Sequence, residues 1–146
     1  MKSLFDPTTY QETKTRIQAL QPDSAARWGK MNVGQMVTHC QFPFKVALSD
    51  KPRKAKWNPI MRLFKKSLYN DKPWRKNLPT APEAKITDSR DLDLEREKLL
   101  SMVDAFYNKR EQQEWQPHPM FGHFTNEQWG QLEYKHLDYH LGQFGV

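Results

Sequence analysis

A chain of 146 residues is the size of one domain, and 37% hydrophobic residues, with eight Phe, five Tyr and five Trp, can fill the core of a small helical bundle. A single cysteine, Cys40, excludes an internal disulfide and any Cys-based zinc knuckle. The net charge of +6 is unevenly placed: residues 51–76 hold ten Lys/Arg against one acid, Asp71, whereas the remainder carries 13 basic and 16 acidic residues.

Five helical patterns follow one another, with no strand-like alternation of any length. The first opens at Asp6, a good N-cap, with Pro7 in the first helical position and Phe5 placed as a hydrophobic staple. Tyr10, Thr13, Ile17 and Leu20 form its apolar stripe, and Gln21-Pro22 should stop it. Residues 23–31 are expected to form a turn with a short helical piece ending at Gly29. Asn32, with Gln35 three residues on, is a capping box for a second helix. Its buried face is Val33, Met36, Val37, Cys40, Phe44 and Ala47, and Pro43 should kink it.

The basic segment begins as a loop. Asn58-Pro59 then starts a shorter helix with Ile60, Leu63, Phe64 and Leu68 as its apolar side. Residues 71–87 contain Pro73, Pro79 and Pro82 and predict a long irregular connection, a candidate lid. The next long helix starts near Ser89–Asp91, with Asp91 and Asp93 at its positive end and Lys109 and Arg110 at its negative end. Leu92, Leu99, Met102, Val103 and Phe106 mark its buried stripe. After a loop, Thr125 and Gln128 make a second capping box, and the last helix ends near Phe144-Gly145. The fold expected over residues 1–146 is therefore one all-α domain, a four-helix bundle with an extra short helix and long loops.

The chemistry lies in the histidines. His136 and His140 are spaced i, i+4, so their rings sit about 40° apart on successive turns. Trp129 shares that face, while Gln131, Lys135, Asp138 and Gly142 define an opposite face read as solvated. Two adjacent buried imidazoles each need a partner. A shared metal satisfies both, and so do two ordinary core hydrogen bonds. His39 lies at the flank of the second helix's stripe, either a boundary residue or the third ligand that a His pair needs from a facing helix. The sequence His-Leu-Asp-Tyr-His lacks the Glu of a metalloprotease helix. Three neutral imidazoles suit a divalent metal: Zn²⁺ first, with Ni²⁺ or Fe²⁺ next.

Other residues carry weaker signals. His118, in a Pro-flanked loop, reads as a structural hydrogen-bonding residue, and His123 as a surface one. Glu133 and Gln143 flank the His pair and are candidates for supporting groups or a general base. Cys40 reads as a small buried hydrophobe rather than a nucleophile. Trp57, Phe64, Tyr69 and Trp74 interleave with the basic residues of 51–76, a pattern that can bind single-stranded nucleic acid but more simply marks a solvated face or the wall of an anion site. No apolar run resembles a signal peptide or approaches the roughly 18–20 residues of a membrane span, so a cytoplasmic location is expected.

Three blocks extend this reading. Trp28–His39 (WGKMNVGQMVTH), His118–Trp129 (HPMFGHFTNEQW) and Lys135–Gly145 (KHLDYHLGQFG) together resemble the DinB-like superfamily, and within it an uncharacterised domain-of-unknown-function branch. The resemblance implies an up-down four-helix bundle, usually a homodimer. It also implies a metal held by one His of the second helix and two of the last, which match His39, His136 and His140. Members of that branch often carry a further His just before the last ligand, where this chain has Tyr139. Some relatives of the superfamily are transferases or isomerases that use low-molecular-weight thiols such as bacillithiol or mycothiol. The expected function is therefore a metal-dependent enzyme, a thiol-dependent S-transferase or a metal-dependent hydrolase, acting on a small molecule. The competing expectation is a binding module with a structural metal and a basic segment for an anionic partner.

Overall fold

The computed structural model describes residues 1–54 and 59–146. Trp57 and Asn58, assigned above to the basic stretch and to a helix start, lie outside the described residues. Among the described residues there are five α-helices: α1 (Pro7–Ala19), α2 (Val33–Ala47), α3 (Pro59–Lys65), α4 (Leu92–Asn108) and α5 (Asn126–Gln143). Two 3₁₀ turns, Lys66–Leu68 and Pro82–Ala84, punctuate the connection from α3 to α4. Among the described residues there is no strand, only an isolated bridge between His118 and Gly122.

The helix boundaries follow local chemistry. Asp6 accepts the Thr9 amide at 2.8 Å, with Pro7 behind it. Both capping boxes form. Asn32 accepts from the Gln35 amide while the Gln35 side chain accepts from the Asn32 amide, and Thr125 and Gln128 do the same. Gly145, at φ +82°, ends α5 in a Schellman motif: the Val146 amide reaches the Leu141 carbonyl and the Gly145 amide that of Gly142, both at 3.2 Å. Pro43 is accommodated inside α2, where it has no N–H to give the carbonyl of His39 four residues earlier.

The four long helices make a bundle in which α1 and α2 each pack against both α4 and α5. α1 and α2 therefore lie diagonally across the core, as do α4 and α5, whereas α2 and α4 are direct neighbours. The α2 stripe is buried as expected at Val33, Met36, Val37, Cys40, Phe44 and Ala47. It meets Leu99, Val103 and Phe106 of α4 and Trp129, Leu137 and Leu141 of α5 in one continuous core. The N-terminal arm is clamped to α5 by a bond from the Leu4 amide to the Gly130 carbonyl, 2.9 Å. Phe5 stacks on Phe106, with centroids 4.6 Å apart.

Three expectations need correction. Residues 23–31 contain no helix, only turns and bends, because Gly29 takes φ +85° and Arg27 is tied to α5 through the Gln143 carbonyl. On α3, Ile60, Leu63 and Phe64 are exposed, so its apolar side does not enter the core, and only Leu68 in the following turn packs there. Lys135 is not on a solvated face. It is buried, and its ammonium donates to the carbonyls of Ser67 and Asn70 at 2.7 Å and to Asn70 Oδ1 at 2.8 Å. The 67–70 turn lies over this side of α5, so the helix is covered where a bundle helix is normally wet.

Candidate functional site

The His136/His140 pair of α5 faces His39 of α2 where these two helices meet. The ring centroids of the three imidazoles lie 4.7–5.1 Å apart. One nitrogen from each falls within 4.8 Å of the others, close enough for all three to hold one metal ion. His39 and His140 are buried, while His136 is half-buried and keeps the cluster in touch with the surface.

Hydrogen bonds set the tautomers. Nδ1 of His39 lies 2.9 Å from the Ala84 carbonyl, which can only accept, so this nitrogen carries the proton and Nε2 presents a lone pair. Nδ1 of His140 lies 2.9 Å from Oε1 of Gln143, and the same logic leaves its Nε2 free. The Gln143 orientation is itself fixed, because its Nε2 donates to the Trp28 carbonyl. Nε2 of His136 approaches Nε2 of His39 to 3.2 Å. Its Nδ1 is buried without a partner.

Desolvation keeps the three rings neutral. Burial lowers the His39 pKa, pushes His140 down to about 4 with help from the neighbouring His39, and holds His136 well below the ordinary imidazole value with help from His140 and His39. Three unprotonated imidazoles with two lone pairs already oriented are the donor set a divalent ion requires. The residues fit a metal.

The wall beside the cluster is aromatic and cationic. Trp74 lies edge-on to His136, with centroids 6.1 Å apart, and 5.7 Å from Tyr139. Tyr139 donates to the Arg75 carbonyl and accepts from Trp28 Nε1. Lys76 sits over the Trp28 ring at 4.7 Å, and the ammonium of Lys135 lies 5.5 Å from the centroid of Trp74. The proline-rich connection therefore does cover the site, supplying Trp74, Arg75, Lys76 and the Ala84 carbonyl. Of these, the sequence singles out only Trp74, within a basic segment read as a solvated face or the wall of an anion site. A backbone acceptor such as Ala84 leaves no signature in residue type.

The remaining candidates fall outside the cluster. His118 is structural: its Nδ1 accepts from the amides of Met120 and Phe121 at 3.1 and 3.3 Å. Burial, with the charges of Arg53 and Lys65, lowers its pKa to about 4. His123 is exposed, and its carbonyl accepts from Lys65. Cys40 is fully buried, and desolvation pushes its thiol far above the usual range, so it is no nucleophile. Glu133 is fully buried with neither carboxyl oxygen partnered, and burial raises its pKa well above the carboxylate range.

A helical bundle in which facing helices converge three neutral imidazoles belongs to the class of candidate metal-binding bundle proteins. The family described as "Protein of unknown function (DUF1569)" matches residues 3–145, and the chain belongs to it. No curated protein and no solved structure matches the chain.

Proposed function

We propose that this protein is a metal-dependent enzyme of the DinB-like superfamily, with His39, His136 and His140 as the ligands of one divalent ion, Zn²⁺ before Ni²⁺ or Fe²⁺. The observation that carries the proposal is the ligand set. Among the described residues the group comprises three imidazoles and no fourth His, Cys, Asp or Glu. Structural zinc sites are closed by four protein ligands, whereas catalytic sites keep a position for substrate or water. A bound ion here would supply Lewis acidity and lower the pKa of a thiol or water beside it.

The protein's own groups suit an anionic small molecule at that position. The ligands are neutral, so the full metal charge is retained. Lys76 and Lys135 add positive charge next to the flat surfaces of Trp28 and Trp74. Cys40 cannot serve as nucleophile, so sulfur or oxygen must come from outside. A low-molecular-weight thiol is the co-substrate that best fits a cationic wall and this resemblance. Its sulfur would form a bond to an electrophilic carbon as the displaced group departs, and hydrolysis by water is the related alternative. A cytoplasmic homodimer is part of the same proposal.

Two measurements test it. Added Zn²⁺ or Ni²⁺ should raise the melting temperature, and His136→Ala or His140→Ala should abolish that increment while His123→Ala keeps it. Bacillithiol, mycothiol, glutathione and cysteine are then screened against electrophilic acceptors, comparing the metal-loaded protein with His39→Ala. Metal-dependent thiol transfer that vanishes in His39→Ala is expected. Equal metal-induced shifts in all three alanine variants would remove the ligand assignment. A fourth protein ligand, seen by X-ray absorption on the loaded protein, would convert the site to a structural one and favour the binding-module reading.

A further inference from the structure

The three imidazoles are not equally supported. His39 gives its Nδ1–H to the Ala84 carbonyl and His140 gives its own to Gln143. His136 has nothing on its Nδ1, although that atom is buried. A metal-bound histidine almost always donates its second ring N–H to a carboxylate, a carbonyl or water, and the acceptor fixes both tautomer and ring orientation. The site therefore lacks one acceptor.

One turn earlier on the same helix stands Glu133, fully buried, with both carboxyl oxygens unpartnered. Residues three apart lie one above the other, about 4.5 Å along the axis, and helical side chains lean towards the N-terminus. Helix geometry thus directs the His136 side chain towards the turn that carries Glu133. The carboxyl also interacts electrostatically with Cys40, the residue after His39, which places it in the α2–α5 seam that carries the site. A buried acid with no partner does nothing for the fold and is a cost to it. The unfilled acceptor and the unfilled donor lie on one face of one helix.

We propose that Glu133 is the positioning residue for His136: its carboxyl accepts the Nδ1–H of that ring, directly or through one buried water, when Nε2 is engaged by a metal. The proposal rests on the metal-site reading. It makes the three ligands equivalent, each held by its own acceptor: a backbone carbonyl, an amide and a carboxyl.

The test uses the full chain, Glu133→Met and Glu133→Gln. Zn²⁺ affinity is measured by competition with a chromophoric chelator, ligand geometry by the visible absorption of the Co²⁺ form, and stability by melting of the metal-free proteins. Glu133→Met, similar in volume and without an acceptor, should bind Zn²⁺ ten- to a hundredfold more weakly and shift the Co²⁺ spectrum. Its metal-free form should melt at or above the parent, because an unpaired buried acid is gone. Glu133→Gln keeps an acceptor oxygen and should recover most of the affinity. Affinity within twofold of the parent in Glu133→Met, with an unchanged Co²⁺ spectrum, overturns the proposal. So does a metal-free Glu133→Met that melts well below the parent, since Glu133 then supports the fold. If the parent itself binds neither ion, the metal-site reading falls and takes this assignment with it.

Discussion

Gln143 joins the candidate site to the loop before α2, and its replacement by Met isolates what that link contributes. The side chain is buried and makes two bonds, accepting from His140 Nδ1 at 2.9 Å and donating to the Trp28 carbonyl at 2.5 Å. Methionine matches its length and volume but leaves a buried N–H and a part-buried carbonyl without partners. Each orphan costs about 1–3 kcal/mol, so the total loss is roughly 2–6 kcal/mol. A domain of this size loses about 2–4 °C of melting temperature per kcal/mol, which gives a fall of roughly 4–24 °C. Gln143→Glu separates the two bonds: its oxygen still accepts from His140, but it places acceptor against acceptor at Trp28. Thermal melting by circular dichroism, with and without Zn²⁺, reads both effects. Both variants should melt below the parent, yet only Gln143→Met should lose about ten- to a hundredfold in metal affinity. A Gln143→Met protein that melts within about 2 °C of the parent would refute the reasoning, because the two bonds would then be worth nothing net.

Acid should unfold the metal-free protein early. His118 and His140 titrate near 4 in the fold against about 6.5 in the unfolded chain, so the unfolded state takes up protons first. Their contribution is complete above pH 6.5 and is lost as pH falls from 6.5 to 4, about 3 kcal/mol for each; a urea midpoint in chelator that stays flat from pH 6.5 to 4.5 contradicts this. Two glycines should respond in opposite directions. A Cβ on Gly34 would lie 2.4 Å from the backbone oxygen of Arg90, so Gly34→Ala must push α2 away from the segment that enters α4, at a cost of about 1–3 kcal/mol. Gly142, near the end of α5, has open space around its Cβ position, and Gly142→Ala should stabilise by about 0.5–1 kcal/mol. Chemical denaturation of both variants checks the pair, and equal shifts would defeat the argument.

What the sequence made legible was local. The capping boxes at Asn32/Gln35 and Thr125/Gln128 are contacts between residues three apart, and both form as their residue types require. The α2 stripe is equally local, since the 3.6-residue period alone places Val33, Met36, Val37, Cys40, Phe44 and Ala47 on one side. Where the reading failed, distant residues decided the outcome. Lys135 was assigned to solvent from its helical angle. It is buried because Ser67 and Asn70, more than sixty residues earlier, bring three oxygens to its ammonium. The apolar pattern of Ile60, Leu63 and Phe64 is a genuine helix period, but periodicity does not say whether a face finds a partner.

The candidate site shows the same division. The i, i+4 spacing of His136 and His140 and the apolar face they share were visible on a helical wheel, and the motifs around them named His39 as the third member. What makes the cluster chemically competent was not visible. The lone pairs of His39 and His140 point inward because Ala84 and Gln143 hold the opposite nitrogens. Ala84 acts through its carbonyl, which every residue has, from within a proline-rich connection whose path no period describes. Gln143 acts only because the Trp28 carbonyl orients it. The candidate ligands are thus legible in side-chain types, whereas the direction of their lone pairs is set in part by the backbone of two loops. A substitution in residues 26–30 or 82–86 that leaves all three histidines in place should therefore still weaken the site.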